Sequence, residues 1–268
     1  MDEYSLILQS LLESREKREP CVLATVISTT GSIPRAEGAK MIVYSASRTL
    51  GTVGGGKFES LVIAEALQSL KGRAPVLKSY PLHEGDPNSF GAICGGTVTV
   101  LLEPQQLREA IVIVGAGHCS RALAAMARDC GLHVTVIDDR RELLSDFPAH
   151  RVVSDCPPQV FIANHPWQPD EGLVIVSRNF LIDRDALGAA LGKTGLGYIG
   201  MIGSRRKVRR VFDDLRGAGV RDDQLADVCA PIGLDIGADA PGEIAVSIMG
   251  EILKILRRRT GGHMRDLD

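Results

Sequence analysis

The sequence predicts an α/β protein: a doubly wound parallel sheet preceded by a smaller N-terminal domain of α+β or α/β type. Three observations carry this. Ala110 to Val114 and His133 to Ile137 are short, continuous apolar runs, as strands buried on both faces of a parallel sheet require. A helical pattern lies between them, so the three form a β-α-β unit of ordinary length. Ahead of them, Glu103-Pro104-Gln105-Gln106 is a polar break, and proline cannot continue a central strand. The domains are read as 1–104, a nucleotide-binding domain at 105–240, and a C-terminal helix at 241–268 packing back on the body.

In chain order, Asp2 to Arg18 is a helix with Tyr4, Leu8, Leu11 and Leu12 on its inner face. Cys21 to Ser28 is a β-branched strand, broken by Thr29-Thr30-Gly31-Ser32-Ile33-Pro34. Lys40 to Tyr44 and Thr49 to Val53 are further strands. Gly54-Gly55-Gly56 then opens a helix from about Lys57 to Leu70, burying Phe58, Leu61, Val62 and Ala66. Val76 to Tyr80 and Thr97 to Leu102 are strands, and the polar, glycine-rich stretch from Leu82 to Gly96 is a long loop of the kind that tends to be functional.

After the break, a helix from about Ser120 carries Leu123, Met126, Ala127 and Cys130 on one face and ends at Gly131. Strands are expected at Val152-Val153, Val160 to Ala163, Leu173 to Val176 and Tyr198 to Ile202. The alternation with helices is what a doubly wound sheet produces. Ser204 to Arg216 is a helix with Val208, Val211, Phe212 and Leu215 inward. Pro241 to Arg259 is a second, starting on proline, burying Ile244, Ile248, Ile252 and Ile255, and ending in three arginines that suit the negative end of its dipole.

Among the 268 residues the formal charge is only -2 and the two signs are mixed, which speaks against a nucleic-acid stripe or a polybasic membrane patch. No apolar run approaches the ~18 to 20 residues of a membrane span. The acidic start Met1-Asp2-Glu3-Tyr4 does not read as a secretory signal, so a cytoplasmic location is expected. The cysteines at 21, 94, 119, 130, 156 and 229 form no Cys-x-x-Cys pair and match no histidine at zinc spacing; no metal site is expected, and free thiols are.

The strongest local signal is Ile113-Val114-Gly115-Ala116-Gly117-His118-Cys119-Ser120. Gly115 permits the strand-to-helix turn, and Gly117 lets a pyrophosphate approach the helix N-terminus; Ser120 stands where a third glycine is usual. Asp138 and Asp139 follow the next strand, about 23 residues on, where a ribose-binding acid belongs. This is a Rossmann-type pattern. Gly51-Thr52-Val53-Gly54-Gly55-Gly56-Lys57-Phe58 nearly matches an ATP-binding loop but has Phe58 where a hydroxyl should hold magnesium. Its glycines and Lys57 remain a candidate anion cradle, against the plainer reading of a tight turn. Cys94, before Gly95 and Gly96, is a candidate thiol for sulfur or a soft metal, or a small residue in a tight bend. Ser204 is a candidate N-cap, and Arg205 beside it could reach an anion. His83, His118 and His165 are single histidines without ligand spacing.

Taken in order, these segments resemble the XdhC/CoxI family of xanthine dehydrogenase accessory proteins. The matching pieces are Gly31-Ser32-Ile33-Pro34-Arg35, Gly51 to Gly56, Cys94-Gly95-Gly96 with Leu102-Glu103-Pro104, Val114 to His118, Ile137-Asp138-Asp139-Arg140, Ile199 to Lys207 and Pro231 to Ala238. The resemblance implies a small domain followed by a Rossmann domain. It implies a chaperone that binds molybdenum cofactor, supports its sulfuration with a cysteine desulfurase, and hands it to a xanthine dehydrogenase-like molybdenum hydroxylase, an accessory protein more than a catalyst, since family members are not usually catalysts in their own right. A homodimer, with neither nucleic acid nor membrane as partner, is expected. The candidate cofactor-binding residues are Gly54, Gly55, Gly56, Lys57, Cys94, Gly95, Gly115, Gly117, His118, Asp138, Ser204 and Arg205. NAD(P) or another nucleotide is the further cofactor expectation, and an NAD(P)-dependent oxidoreductase is the alternative function. Two departures stand out: Lys57 replaces a cysteine common in the family, leaving phosphate pairing but no thiol there. Val176-Ser177-Arg178-Asn179-Phe180 lacks the family's histidine, so an acid–base or metal role there is unsupported.

Overall fold

The computed structural model describes residues 2–31, 35–72, 74–81, 96–105 and 109–266. The chain divides into two compact units, Met1–Leu107 and Arg108–Asp268.

The first unit comprises α1 (Glu3–Glu16), β1 (Cys21–Thr30), β2 (Lys40–Ser45), β3 (Arg48–Gly51), α2 (Gly56–Gly72), β4 (Val76–Pro81) and β5 (Thr97–Gln105). Its strands form an antiparallel sheet in the order β3-β2-β1-β5-β4. Successive side chains of a strand face opposite ways. Val22, Ala24 and Val26 therefore meet Phe58, Val62 and Ala66 of α2, while Cys21 and Leu23 turn to Ile7 and Leu11 of α1.

Three expectations are corrected here. The inner face of α1 is Ile7, Leu11 and Ser14, whereas Tyr4, Leu8 and Leu12 are exposed. Ser14 is inward because its hydroxyl donates to Ser10 O at 2.6 Å and lies 3.0 Å from Tyr44 Oη. On α2, Leu61 is exposed, outside the Phe58, Val62, Ala66 stripe. Strand β5 continues through Pro104, opposite Val22. Its pairing with β4 ends at Leu102, so beyond that point β5 has one neighbour only, and an edge tolerates proline.

The second unit runs β6 (Ala110–Val114), α3 (His118–Asp129), β7 (His133–Ile137), β8 (Arg151–Val153), α4 (Pro158–Asn164), β9 (Glu171–Ile175), α5 (Phe180–Ala190), β10 (Tyr198–Met201), α6 (Arg205–Gly217), α7 (Asp222–Ala226) and α8 (Pro241–Leu256). Its parallel sheet has the order β10-β9-β6-β7-β8. The order reverses between β6 and β9, the switch point at which open α/β sheets bind ligands. Both faces are covered. Leu123, Ala124 and Ala127 of α3 and Ala245, Ile248 and Ile252 of α8 close one; Ala186, Leu187, Val208 and Val211 of α5 and α6 close the other. Residues 228–232 extend the sheet beyond β10, with Met201 N donating to Cys229 O at 3.0 Å and Cys229 N to Ile199 O at 2.9 Å.

Val160 to Ala163, expected as a strand, lies inside α4. A short apolar run fits either element. Pro158 at the helix start, followed by an inward Ile162, decides for the helix. Cys130, expected on the buried face of α3, is its exposed C-cap. No helix among the described residues is long and apolar enough to cross a membrane.

Candidate functional site

The two glycines of the β6–α3 turn are required for different reasons. Gly115 has φ +104°, and a Cβ there would lie 2.3 Å from Val176 O on the neighbouring chain segment. Its N–H donates to Ile137 O at 2.8 Å. Gly115 is thus demanded by the fold itself. Gly117 has φ -75°, which any residue adopts, and a Cβ there would meet nothing within 4 Å among the described residues. It is the N-cap of α3 and supplies no side chain to cap it. The first-turn N–H groups of a helix have no intrahelical acceptor and carry its positive end, so an uncapped start beside open space is a cradle for an anion. His118 is exposed at the first position of α3, and Ser120 is buried against the sheet.

Asp138, at the end of β7, is turned into this loop. Its Oδ2 accepts from Ala116 N at 2.7 Å and Arg140 Nη2 at 2.6 Å; its Oδ1 accepts from Arg140 N and Arg140 Nε, both at 2.9 Å. Burial opposes ionisation, but the hydrogen bonds from Arg140 and Ala116 outweigh it and hold the carboxyl at about 2, below its ordinary 3.8. The same bond raises the Arg140 guanidinium. An ionised carboxylate offers about four acceptor positions, and four N–H groups fill them. Asp138 fixes the loop and has no acceptor left for a ribose hydroxyl.

A cleft of about 420 Å³ opens at the carboxyl ends of β6, β7, β8 and β9. Val114, Ile137, Pro157, Pro158 and Ile182 give it apolar walls; Asp139, Asp155, Cys156, Ser177 and Arg178 give it polar groups. Asp139 follows β7 and Arg178 follows β9, on either side of β6. Arg178 Nη2 donates to Asp139 Oδ2 at 2.9 Å.

The glycine triplet of the first unit is built differently. Gly54, Gly55 and Gly56 all have positive φ, so the conformation itself asks for glycine. Glu59 Oε2 accepts from Val53 N and Gly55 N, each at 3.1 Å, and from the Thr52 hydroxyl. Burial opposes the Glu59 charge, but the bonds from Thr52, Gly55 and Val53 prevail and lower its pKa. The cradle holds an anion of the protein's own. Lys57 is exposed, and Phe58 is a core residue edge-on to Tyr80 at 5.3 Å, as no magnesium-holding hydroxyl could be.

The XdhC Rossmann domain model matches residues 111–252, and the XdhC and CoxI family model matches residues 14–81. The chain belongs to the XdhC and CoxI family. Among its relatives, protein YqeB of Escherichia coli K12 is 33% identical over 252 residues, covering 93% of this chain. The chain spans 46%, about half, of that relative's length. A Bacillus subtilis protein, a probable xanthine dehydrogenase component, is 21% identical over 96% of this chain and 99% of its own. A solved xanthine dehydrogenase structure from Bacillus halodurans shares the fold, with a TM-score of 0.50 at 24% identity and 97% of each chain covered.

In this XdhC-family chain the segment from Gly203 to Lys207 is partly a structural device. Ser204 caps α6, its Oγ accepting from Lys207 N at 3.3 Å, as the sequence predicts. Gly203 leaves room for the Lys207 stem, because a Cβ would lie 2.9 Å from Lys207 Cδ. Lys207 Nζ pairs with Asp183, which is fully buried in α5. Arg205 is exposed on the first turn of α6. Cys94 and Gly95 lie outside the described residues. The sequence reading missed Glu59, Arg140, Arg178 and Asp183 as constructive groups. The adjacency of Asp138 and Arg140 was the one available signal among them.

Proposed function

We propose that this chain is a xanthine dehydrogenase accessory protein that binds molybdenum cofactor in the cleft at the carboxyl end of β6. The observation that carries the reading is the β6–α3 turn: the uncapped start of α3 at Gly117, open among the described residues, suits a phosphate, and the cleft whose lining reaches the same turn at Gly115 has apolar walls for a flat ring. Its volume of about 420 Å³ falls in the range of small-molecule sites, roughly 300 to 1,000 Å³. Gly117 and the His118 and Cys119 amides would hold the phosphate; Val114, Ile137 and the Pro157-Pro158 pair would flank the pterin. Within the client, the bound group supplies the molybdenum centre at which hydroxylation occurs. This chain orients the cofactor and shields it.

The name of the Bacillus subtilis relative and the family both tie the role to xanthine dehydrogenase. Delivery to a molybdenum hydroxylase and sulfur supply by a cysteine desulfurase belong to the same proposal, with Cys94 the thiol of the matching family segment. Gly54 to Lys57 and Ser204-Arg205 remain secondary anion positions, the first requiring Glu59 to leave. An NAD(P)-dependent oxidoreductase would share the loop, but the filled acceptor positions of Asp138 remove its usual ribose contact.

The protein, purified from a molybdopterin-producing host, is expected to release a fluorescent oxidised pterin. Absence of pterin, together with no uptake of added cofactor, overturns the reading.

A further inference from the structure

Once the loop and its clamp are accounted for, the Asp139–Arg178 pair is left over. Both side chains line the cleft, and they straddle β6. Among the described residues, their one bond uses a single carboxylate oxygen and one of five guanidinium N–H groups. Asp139 is 68% exposed and Arg178 41%, and an ion pair so open to water contributes little to stability. Asp138 beside it has no acceptor to spare. Asp155 also lines the cleft but makes no ion pair among the described residues. The pair is therefore an acceptor-only group next to a donor-only group, over a slot with apolar walls.

That array selects among flat heterocycles. It needs an edge with two adjacent donors for the carboxylate and then an acceptor for the guanidinium. Adenine presents a donor beside a ring-nitrogen acceptor. Cytosine presents one donor and two acceptors. Uracil and flavin rings present acceptor, donor, acceptor. Each sets a lone pair against the carboxylate. A 2-amino-4-oxopyrimidine ring presents amino N–H, ring N–H and carbonyl oxygen, in that order. We infer that Asp139 and Arg178 read the 2-amino-4-oxopyrimidine edge common to pterins and guanine, with the ligand's phosphate toward Gly117. This rests on the proposed cofactor cleft and assigns the residues that give it selectivity.

Calorimetric titration of the full chain with four probes tests it: 6-hydroxymethylpterin monophosphate, GMP, AMP and XMP. The wild type is expected to prefer the first two over AMP by about tenfold or more, since a mismatched edge leaves polar groups unpaired. Asp139→Asn presents a donor where an acceptor stood, so pterin phosphate and GMP should weaken by about ten- to a hundredfold. XMP, which has an oxygen in place of the amino group, should gain. Arg178→Ala should weaken GMP and XMP alike. Binding of the pterin alone identifies a pterin as the source of the edge; binding of GMP alone identifies a guanine nucleotide and overturns the cofactor reading while supporting this inference. Wild-type binding with unchanged selectivity in Asp139→Asn overturns the inference and leaves the cofactor reading standing. Preferential AMP binding lost in that variant overturns the inference too, makes Asp139 a ribose acceptor, and favours the nucleotide reading over the cofactor one. No binding of any probe by the wild type overturns the inference, and the cofactor reading falls with it only if the purified protein also carries no pterin.

Discussion

Two glycine loops open two helices in this chain, and they are finished in opposite ways. At α2 the loop bends through three glycines of positive φ, and Glu59 of the helix itself closes on it, taking Val53 N–H and Gly55 N–H. At α3 the acid is on the next strand. Asp138 takes Ala116 N–H, behind the loop, and leaves the helix start uncapped. A glycine-rich helix start is thus no guide to a binding site until the position of the nearest carboxylate is known. The first loop is self-contained; the second is braced from behind and open in front.

Substitutions can break this contrast. The largest effect is expected at Gly115. Gly115→Ala combines a positive φ with a Cβ 2.3 Å from Val176 O, and should cost about 3 kcal/mol or more in chemical denaturation of the second unit. Asp138→Asn comes next. The folded carboxyl sits at about 2, below 3.8, so the stability it contributes is present above 3.8 and lost as pH falls from there toward 2. That contribution is about 2 kcal/mol, and an acid titration of stability should show it in the wild type and not in the variant. Glu59→Ala should cost about 1 kcal/mol, the usual worth of a cap, and added sulfate should restore part of it by entering the vacated nest. Gly117→Ala, at the N-cap where alanine is worse than glycine, should cost less than about 1 kcal/mol while weakening binding of a phosphate-bearing ligand. A large loss of stability there would mean that Gly117, like Gly115, is demanded by the fold.

The sheet of the second unit was legible because its buried strands are written as unbroken apolar runs, and Gly115, Gly117 and Ser204 were legible because turns and caps are local. What escaped depends on side chains meeting across the fold. Whether Asp138 faces a ligand or the loop is decided by the conformation of Arg140, two residues on. Glu59 reads as an ordinary first-turn acid until the path of Val53 to Gly55 is known. Asp183 gives no sign in sequence that it is buried against Lys207, and among the described residues its Oδ1 has no hydrogen-bond partner. On α1, apolar residues occupy both faces, so periodicity could not choose between Ile7 and the Tyr4-Leu8-Leu12 stripe.

The uncapped start of α3 also makes the second unit a gauge of its own occupancy. A helix capped by glycine forgoes roughly a few tenths of a kcal/mol against a side-chain cap until an anion arrives. Any ligand that binds only the folded form adds stability with its concentration, about 2.7 kcal/mol at a hundredfold excess over its dissociation constant. The unfolding midpoint should therefore rise with ligand supply.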